Sequence, residues 1–199
     1  MQQDSARRSN RDRTDATRAA LIAAARALFV DKGYAATGTP EIVGAAGVTR
    51  GALYHHFADK EALFRAVVEQ EAEVVAAGIE RAAPSKAADL ASALSAGGRA
   101  YVEAMREPGR TRLLLLDGPA VLGRTVMDEI DGRHGNRTLR EGLAAAIRAG
   151  AIAPLPLDAL TGLLGAMYDR ATLAIAEGAP VEDQMQVLDA VVAGLSPHR

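Results

Sequence analysis

The sequence contains no cysteine and no tryptophan, and only four tyrosines and three phenylalanines among its 199 residues. Without cysteine, the chain can form neither a disulfide framework nor a thiolate zinc site, and it cannot use a cysteine nucleophile. No apolar run approaches the roughly 18 residues that a transmembrane helix needs. The polar, arginine-rich first residues are unlike a secretory signal peptide. We therefore expect a cytoplasmic protein that does not associate with membranes.

The motifs of several catalytic classes are also missing. The sequence has no phosphate-binding loop of the form GxxxxGK[ST], no HExxH and no GxSxG. The neighbouring histidines His55 and His56 would point about 100° apart on a helix, and zinc needs three or four convergent ligands. The sequence thus predicts no metal site, no cofactor and no enzymatic activity.

What the chain has in quantity is alanine, the strongest helix former and a poor strand former. Apolar residues from Leu21 to Phe29 recur at the spacing of one helical face, and no strand-like alternation is found. These patterns predict an all-α fold of about nine helices. Beyond residue 84, where Pro84 should end a helix, the expected helical segments are 86–106, 109–117, 119–149 with a weakness near Gly132 and Gly135, 157–178 and 181–195.

Charge is unevenly distributed along the chain. Residues 1–60 carry nine Lys and Arg against six Asp and Glu, whereas the remainder is acidic. A basic first third suggests an anionic partner. We expect three regions: a disordered basic arm over 1–13, a three-helix domain over 14–60 that starts at Thr14 or Asp15, and a second helical domain over 61–199.

Residues 39–57, TPEIVGAAGVTRGALYHHF, have the pattern of a helix-turn-helix. Pro40 suits the first turn of a helix, Gly47 the reversal, and Thr49 the start of the second helix. On that second helix Leu53 and Phe57 fall on one side. The residues on the outward side can reach base edges and phosphates in a major groove; they are Arg50, Gly51, Tyr54 and His55, with His56 on the flank.

Residues 17–68 resemble the DNA-binding domain of the TetR family of transcriptional regulators. The resemblance is carried by the AGV turn, the LYHHF run and the DKE sequence followed by Leu63 and Phe64. Gly38 and Pro40 depart from the family pattern, and this departure leaves open whether the first helix of the motif contacts DNA. By position, the resemblance implies DNA contacts at Thr37, Thr39, Arg50, Gly51, Tyr54, His55, His56 and Lys60.

For the second domain the resemblance implies a small-molecule effector and a dimer. Five of the seven aromatic residues lie in the first third, so a cage of aromatic rings is disfavoured and an apolar or amphipathic effector is expected. The candidate effector residues are Tyr101, Met105, Arg112, Met127, His134, Met167, Tyr168 and Arg170. Two helical stripes predict the dimer interface, although an intramolecular core would have the same pattern; they contain Leu160, Leu163, Leu164, Met167, Ala171, Ile175, Leu188, Val191, Val192 and Leu195.

The leading hypothesis is therefore a homodimeric repressor that binds double-stranded operator DNA and is released by a small molecule. Two alternatives stay open. The first is a DNA-binding regulator without a small-molecule effector, which a fully packed second domain would favour. The second is a small-molecule carrier or enzyme that retains a helix-turn-helix, which indifference to DNA would favour.

Overall fold

Helices make up the fold throughout the described part of the chain, which in this computed structural model comprises residues 2–82 and 90–196, with side chains for 11–82 and 92–196. No strand occurs in these residues, so the all-α prediction is confirmed. The helices are α1 (Gln2–Lys32), α2 (Thr39–Ala46), α3 (Arg50–His56), α4 (Lys60–Ala82), α5 (Leu90–Met105), α6 (Arg110–Arg112), α7 (Gly118–Leu122), α8 (Arg124–Arg133), α9 (Gly135–Arg148), α10 (Leu157–Ala176) and α11 (Val181–Gly194), with a π-helical segment at Leu113–Asp117 between α6 and α7.

Helix α1 begins at Gln2, not at Thr14 or Asp15. The expectation of a disordered arm is therefore wrong for residues 2–13. The reason lies in the sequence, since the first glycine or proline of the chain is Gly33 and nothing before it interrupts a helix. Gly33 ends α1 with a φ of 82°, a conformation that favours glycine.

The helix-turn-helix forms as its local sequence predicts. Gly47 follows α2 with a φ of 66°, which reverses the chain. Thr49 caps α3 by accepting a hydrogen bond at Oγ1 from the amide of Ala52 at 3.2 Å. Asp59 caps α4 in the same way, with 2.7 Å from Oδ1 to the amide of Ala62. The prediction that Thr49 begins the second helix of the motif is thus confirmed.

The middle of the chain is divided differently from the prediction. The segment expected over 109–117 becomes α6 and the π-helical segment. The segment expected over 119–149 is interrupted at Gly123, where φ is 79°, which was not predicted. It is interrupted again at His134, which lies within the predicted weakness near Gly132 and Gly135: Gly132 is in the last turn of α8 and Gly135 begins α9. Pro84 and residues 86–89 lie outside the described residues, so the predicted helix end and start there are not described.

One hydrophobic core joins the DNA-binding helices to the rest of the chain. It runs from Phe29 and Leu53 through Phe64 and Val75 of α4 to Ile130 of α8. Because α4 supplies buried residues to both ends of this core, it belongs structurally to both domains. Two smaller clusters pack around Met185 and around Leu143. Within the described ranges no helix is long and apolar enough to span a membrane.

Candidate DNA-binding surface and effector cavity

Helix α3 is anchored by one face and exposed on the other. Leu53 is completely buried and Phe57 nearly so, and both pack in the core between α1 and α4. The remaining face is open to solvent, with Tyr54 44% exposed. The outward residues are those that the helical pattern predicted: Arg50, Gly51, Tyr54 and His55 are exposed and His56 is half-buried.

A small polar cluster joins α2 to α3 on this face. The Tyr54 hydroxyl is hydrogen-bonded to the side chains of Thr39 and Arg50, which lowers the pKa of Tyr54. The Arg50 guanidinium carbon lies 5.5 Å from the centre of the Tyr54 ring, a cation–π arrangement. The half-buried Thr39 and the exposed Arg50 and Tyr54 therefore form one continuous surface, as a groove-binding element requires.

Thr37 does not belong to this surface. It is 1% exposed, and its hydroxyl donates to the Gly33 carbonyl at 2.8 Å, with the Leu28 carbonyl at 3.3 Å. The predicted DNA contact through the Thr37 side chain conflicts with this burial. The hydroxyl instead caps the C-terminal end of α1, where helix carbonyls lack partners.

Lys60 makes contacts within the chain that a phosphate contact would have to replace. Its ammonium group donates to the carbonyls of Tyr34 at 2.9 Å and Thr37 at 3.1 Å, and lies 4.1 Å from the centre of the Tyr34 ring. These contacts fasten the start of α4 to the connection between α1 and α2. A phosphate contact would require Lys60 to leave them, so the structure favours a positioning role for this side chain.

A cavity of about 320 Å³ lies in the second domain, between α4, α5, α8, α9, α10 and the π-helical segment. Among the predicted effector residues, Tyr101 and Tyr168 line it, with ring centres 6.2 Å apart. Its apolar wall is largely aliphatic; the side chains include Val75, Ile79, Leu94, Leu114, Leu115 and Leu139.

The other predicted effector residues do not line this cavity. Met105 and Met127 are buried in the core, and Met167 packs between the two smaller clusters. The remaining three lie toward the surface: Arg112 pairs with Asp117 at 3.2 Å, His134 borders a separate surface depression and Arg170 is exposed. These residues were predicted as long polar or flexible side chains without knowledge of helix packing, and the packing places them outside the cavity wall.

Two carboxylates at the cavity, Asp131 and Asp169, were not among the predicted residues. The Tyr101 hydroxyl donates to Asp169 Oδ1 at 2.6 Å. Burial raises the pKa of Asp131 to about 6, with a further contribution from Asp169, and burial also raises the pKa of Asp169. A sequence signal existed for Asp131, since it lies four residues after the buried Met127 and so on the same helical face.

A buried ion-pair network links the two domains. Glu71 of α4 accepts a hydrogen bond from Arg26 of α1 at 2.8 Å and from Arg110 of α6 at 2.8 Å. Burial raises the pKa of Glu71, but the hydrogen bonds from the two arginines outweigh it and lower the pKa below its usual value. Glu71 and Arg110 are both more than nine-tenths buried. Sequence analysis did not find this network.

The predicted interface residues divide into three groups by exposure. Leu164, Ala171, Leu188 and Val192 are buried within the single chain, so they form its own core. By contrast, Leu163 of α10 is 70% exposed. An exposed apolar side chain that was not predicted, Val187 of α11, is 61% exposed. The other predicted interface residues are half-buried; they are Leu160, Met167, Ile175, Val191 and Leu195.

Comparison with solved structures extends over almost the whole chain. A TetR-family transcriptional regulator from Pectobacterium atrosepticum is 32% identical, covers 94% of this chain and 98% of its own, and superimposes with a TM-score of 0.73. RolR in complex with resorcinol has a TM-score of 0.72 at 23% identity, covering 94% of this chain and 91% of its own. At 23% identity, the similarity to RolR is evidence for the fold alone.

The curated relatives match over shorter stretches. The transcriptional activator FasR of Mycolicibacterium smegmatis is 41% identical over 76 residues, which are 38% of this chain and 35% of FasR. The chain thus aligns with about a third of the length of that relative.

Two family models match the chain. One, described as bacterial regulatory proteins of the tetR family, matches residues 21–67. The other, described as a tetracyclin repressor-like C-terminal domain, matches residues 91–196, more than half of the chain. The protein therefore belongs to the TetR family of bacterial regulatory proteins.

Proposed function

We propose that this protein is a homodimeric transcriptional regulator that binds double-stranded operator DNA through α3 and leaves it when a small molecule occupies the cavity. The observation that carries the proposal is that the exposed α3 surface and the cavity are joined by one helix, α4. The cavity also favours a ligand-responsive regulator over one without an effector, because a regulator of the latter kind needs no such space.

DNA binding is supported by the chemistry of the α3 face. Arg50 can donate two hydrogen bonds to guanine N7 and O6 in the major groove. Tyr54 and Thr39, which are hydrogen-bonded to each other, can contact phosphate. In a dimer, two such helices would read half-sites about 34–36 Å apart, or a multiple of that distance.

Dimer formation is supported by the apolar side chains that α10 and α11 leave exposed. Leu163 and Val187 are large and are largely exposed in a single chain. Two helices from each subunit can bury such side chains in a four-helix bundle around a two-fold axis. We expect Leu163→Asp to give a monomer in analytical ultracentrifugation, while Leu155→Asp, a change at another exposed leucine before α10, leaves the dimer intact. A monomeric parent protein would contradict the proposal.

Communication between cavity and DNA surface is supported by the arrangement around α4. Ala72 and Val75 of α4 line the cavity, and Glu71, directly before Ala72, pairs with Arg26 of α1. Leu114 and Leu115 of the π-helical segment line the cavity as well, close in sequence to Arg110. A ligand that favours one position of these elements would change the orientation of α1 to α3, which is the differential affinity that induction requires.

The test measures how tightly the full chain binds the DNA immediately upstream of its own reading frame. Binding is detected by fluorescence anisotropy at two salt concentrations, with competitor DNA present. We expect binding that survives the competitor. Arg50→Ala should lose about 1–3 kcal/mol of specific binding if Arg50 reads a guanine. The matched control is Arg148→Ala, an exposed arginine at the end of α9, which should bind normally. Binding that is equally weak on every sequence would leave only the electrostatic attraction of the backbone and would count against the proposal for this DNA.

A further inference from the structure

The charge of the cavity wall has a single sign. Four carboxylate residues line it, and none of the described residues that line it is a Lys, Arg or His. Two of the four already have a cationic partner, because Arg137 lies 2.6 Å from Glu80 and 3.3 Å from Glu141. Of the four, Asp131 of α8 and Asp169 of α10 form no ion pair with the described residues.

The surroundings of these two carboxylates do not neutralise them. Tyr101 donates one hydrogen bond to Asp169, and in the described residues no donor reaches the Asp131 carboxylate. The basic group that acts on both is Arg124, whose side chain is 80% exposed and lies 3.8 Å from Asp128. A solvated guanidinium is strongly screened. With a pKa of about 6, Asp131 is still mainly ionised at neutral pH, so the cavity carries negative charge.

The rest of the cavity suits a small apolar body. Its wall is aliphatic along α4 and the π-helical segment, and the rings of Tyr101 and Tyr168 stand edge to face beside it. The volume of about 320 Å³ is at the lower end of the range of about 300–1,000 Å³ found for ligand cavities. Such a space fits one ring or a short chain. Aromatic faces near carboxylates attract a cation further.

We propose that the effector is an amphipathic organic cation, a protonated amine on a small apolar body, with its ammonium group bound between Asp131 and Asp169 and its apolar body against α4. The inference rests on the proposed function in taking this cavity as the effector site. The same groups exclude an anionic effector, because a carboxylate or phosphate would meet the negative charge of Asp131 and the carboxyl group of Asp169 in a partly buried site with no cationic side chain in its described lining. They also disfavour a purely hydrocarbon ligand, which would desolvate both groups without replacing the lost hydrogen bonds.

The first test uses three probes that share a phenyl ring and a short chain but differ in charge: phenethylamine, 2-phenylethanol and 3-phenylpropionate. Binding to the full-length protein without DNA is measured by titration calorimetry near neutral pH. We expect the amine to bind about tenfold or more tightly than the alcohol, since charge-assisted hydrogen bonds replace neutral ones. The anion should not bind. If the amine binds no better than the alcohol, including the case in which neither binds at millimolar concentration, the proposal is overturned.

The second test assigns the binding to the two carboxylates. Asp131→Asn and Asp169→Asn keep the size of the side chain, and each should weaken phenethylamine binding about tenfold. The matched control is Glu129→Gln, a change on α8 at an exposed carboxylate outside the cavity lining that does not act on Asp131 or Asp169, which should leave the affinity unchanged. Circular dichroism confirms folding of each variant. Unchanged amine affinity in both cavity variants would contradict the proposal.

The two proposals can fail separately. If the protein binds phenethylamine but no DNA sequence in preference to competitor, the proposed regulatory function fails and the cation site stands. If the protein binds its operator and the amine neither binds nor releases it, the cation site fails and the regulatory function stands. Release of operator DNA by the amine, but not by 2-phenylethanol, would support both.

Discussion

Glu71 of α4 and Arg110 of α6 form a buried ion pair, with 2.8 Å between Glu71 Oε2 and Arg110 Nε. Helix α4 lines the cavity, and α6 leads directly into the π-helical segment. Arg26 approaches the same carboxylate from α1, so a single glutamate holds three elements. Burying these charges costs free energy, and that cost is offset only while every partner is present. The arrangement is therefore specific for one relative position of α1, α4 and α6.

Removal of the shared carboxylate should be strongly destabilising. We expect Glu71→Ala to lower the free energy of unfolding by about 3–5 kcal/mol, because two arginines would keep their charge without a buried partner. Urea denaturation measures the change. The matched control is Glu103→Ala, which breaks an exposed pair with Arg106 and should change stability by less than about 1 kcal/mol. Equal effects at both positions would show that the buried network does not determine stability.

Glu71 also makes the stability of the folded state depend on pH in the acidic range. The hydrogen bonds from Arg26 and Arg110 lower the pKa of Glu71 below its usual 4.5 in the folded state, although burial acts in the opposite direction. Its contribution to stability is therefore complete above the unfolded pKa and is lost as pH falls through the lower folded pKa. Denaturation of the wild type and Glu71→Gln across this range should give curves that converge at low pH. Curves that stay parallel would contradict the assignment.

The contribution of Asp131 to stability should change with pH in the opposite direction to that of Glu71. Burial, then Asp169 and Asp128, raise the folded pKa of Asp131 to about 6 from 3.8, while Arg124 lowers it. Since the folded state favours the protonated form, the contribution of Asp131 to stability falls as pH rises from about 4 to above 6. Asp131→Asn should therefore be more stable than the wild type at about pH 8 and equal to it below pH ~4. Thermal denaturation of both proteins tests this, and a difference that does not depend on pH would reject it.

Gly98 and Gly132 offer a matched pair of helical glycines. A Cβ at Gly98 of α5 would overlap the ring and hydroxyl of Tyr168, whereas a Cβ at Gly132 of α8 would meet no atom within 4 Å. Gly98→Ala should destabilise the protein by about 1–3 kcal/mol through overpacking and displace the Tyr168 ring at the cavity wall. Gly132→Ala should instead stabilise it by about 0.5–1 kcal/mol. Melting temperatures measure both, and the same sign for both would contradict the packing.

Lys60 distinguishes a positioning role from a phosphate contact. Replacement by methionine removes hydrogen bonds to the carbonyls of Tyr34 and Thr37 and should lower stability by about 1–3 kcal/mol. The dependence of DNA affinity on salt should keep its slope, since no phosphate contact is lost. A slope reduced by about one unit would instead place Lys60 on a phosphate, as the family resemblance implies.

The parts of the fold that could be predicted from sequence depend on local interactions. Thr49 and Asp59 cap the helix that directly follows each of them, and Gly47 reverses the chain between its own neighbours. The division of α3 into a Leu53 side and an Arg50 side needs only the helical period. These features therefore hold whatever the rest of the chain does.

What could not be predicted depends on how distant helices cross. Glu71 lies four residues after Val67 and four before Val75, on the buried stripe of α4. Its two partners, Arg26 and Arg110, are distant in sequence, so only the packing of α1 and α6 against α4 forms the network. Asp131 and Asp169 likewise line one cavity only because α8 and α10, which are distant in sequence, both form its wall. The sequence contained the residues of the site, but not the packing that brings them together.

The groups that would recognise an effector and those that would recognise DNA lie on separate helices, Asp131 and Asp169 on α8 and α10, Arg50 and Tyr54 on α3. A substitution at the cavity wall can thus change the molecule to which the protein responds while leaving the DNA-facing side chains in place. After gene duplication, one copy could acquire a new inducer and keep its operator, or the reverse. The same separation makes the chain a practical starting point for engineered sensors.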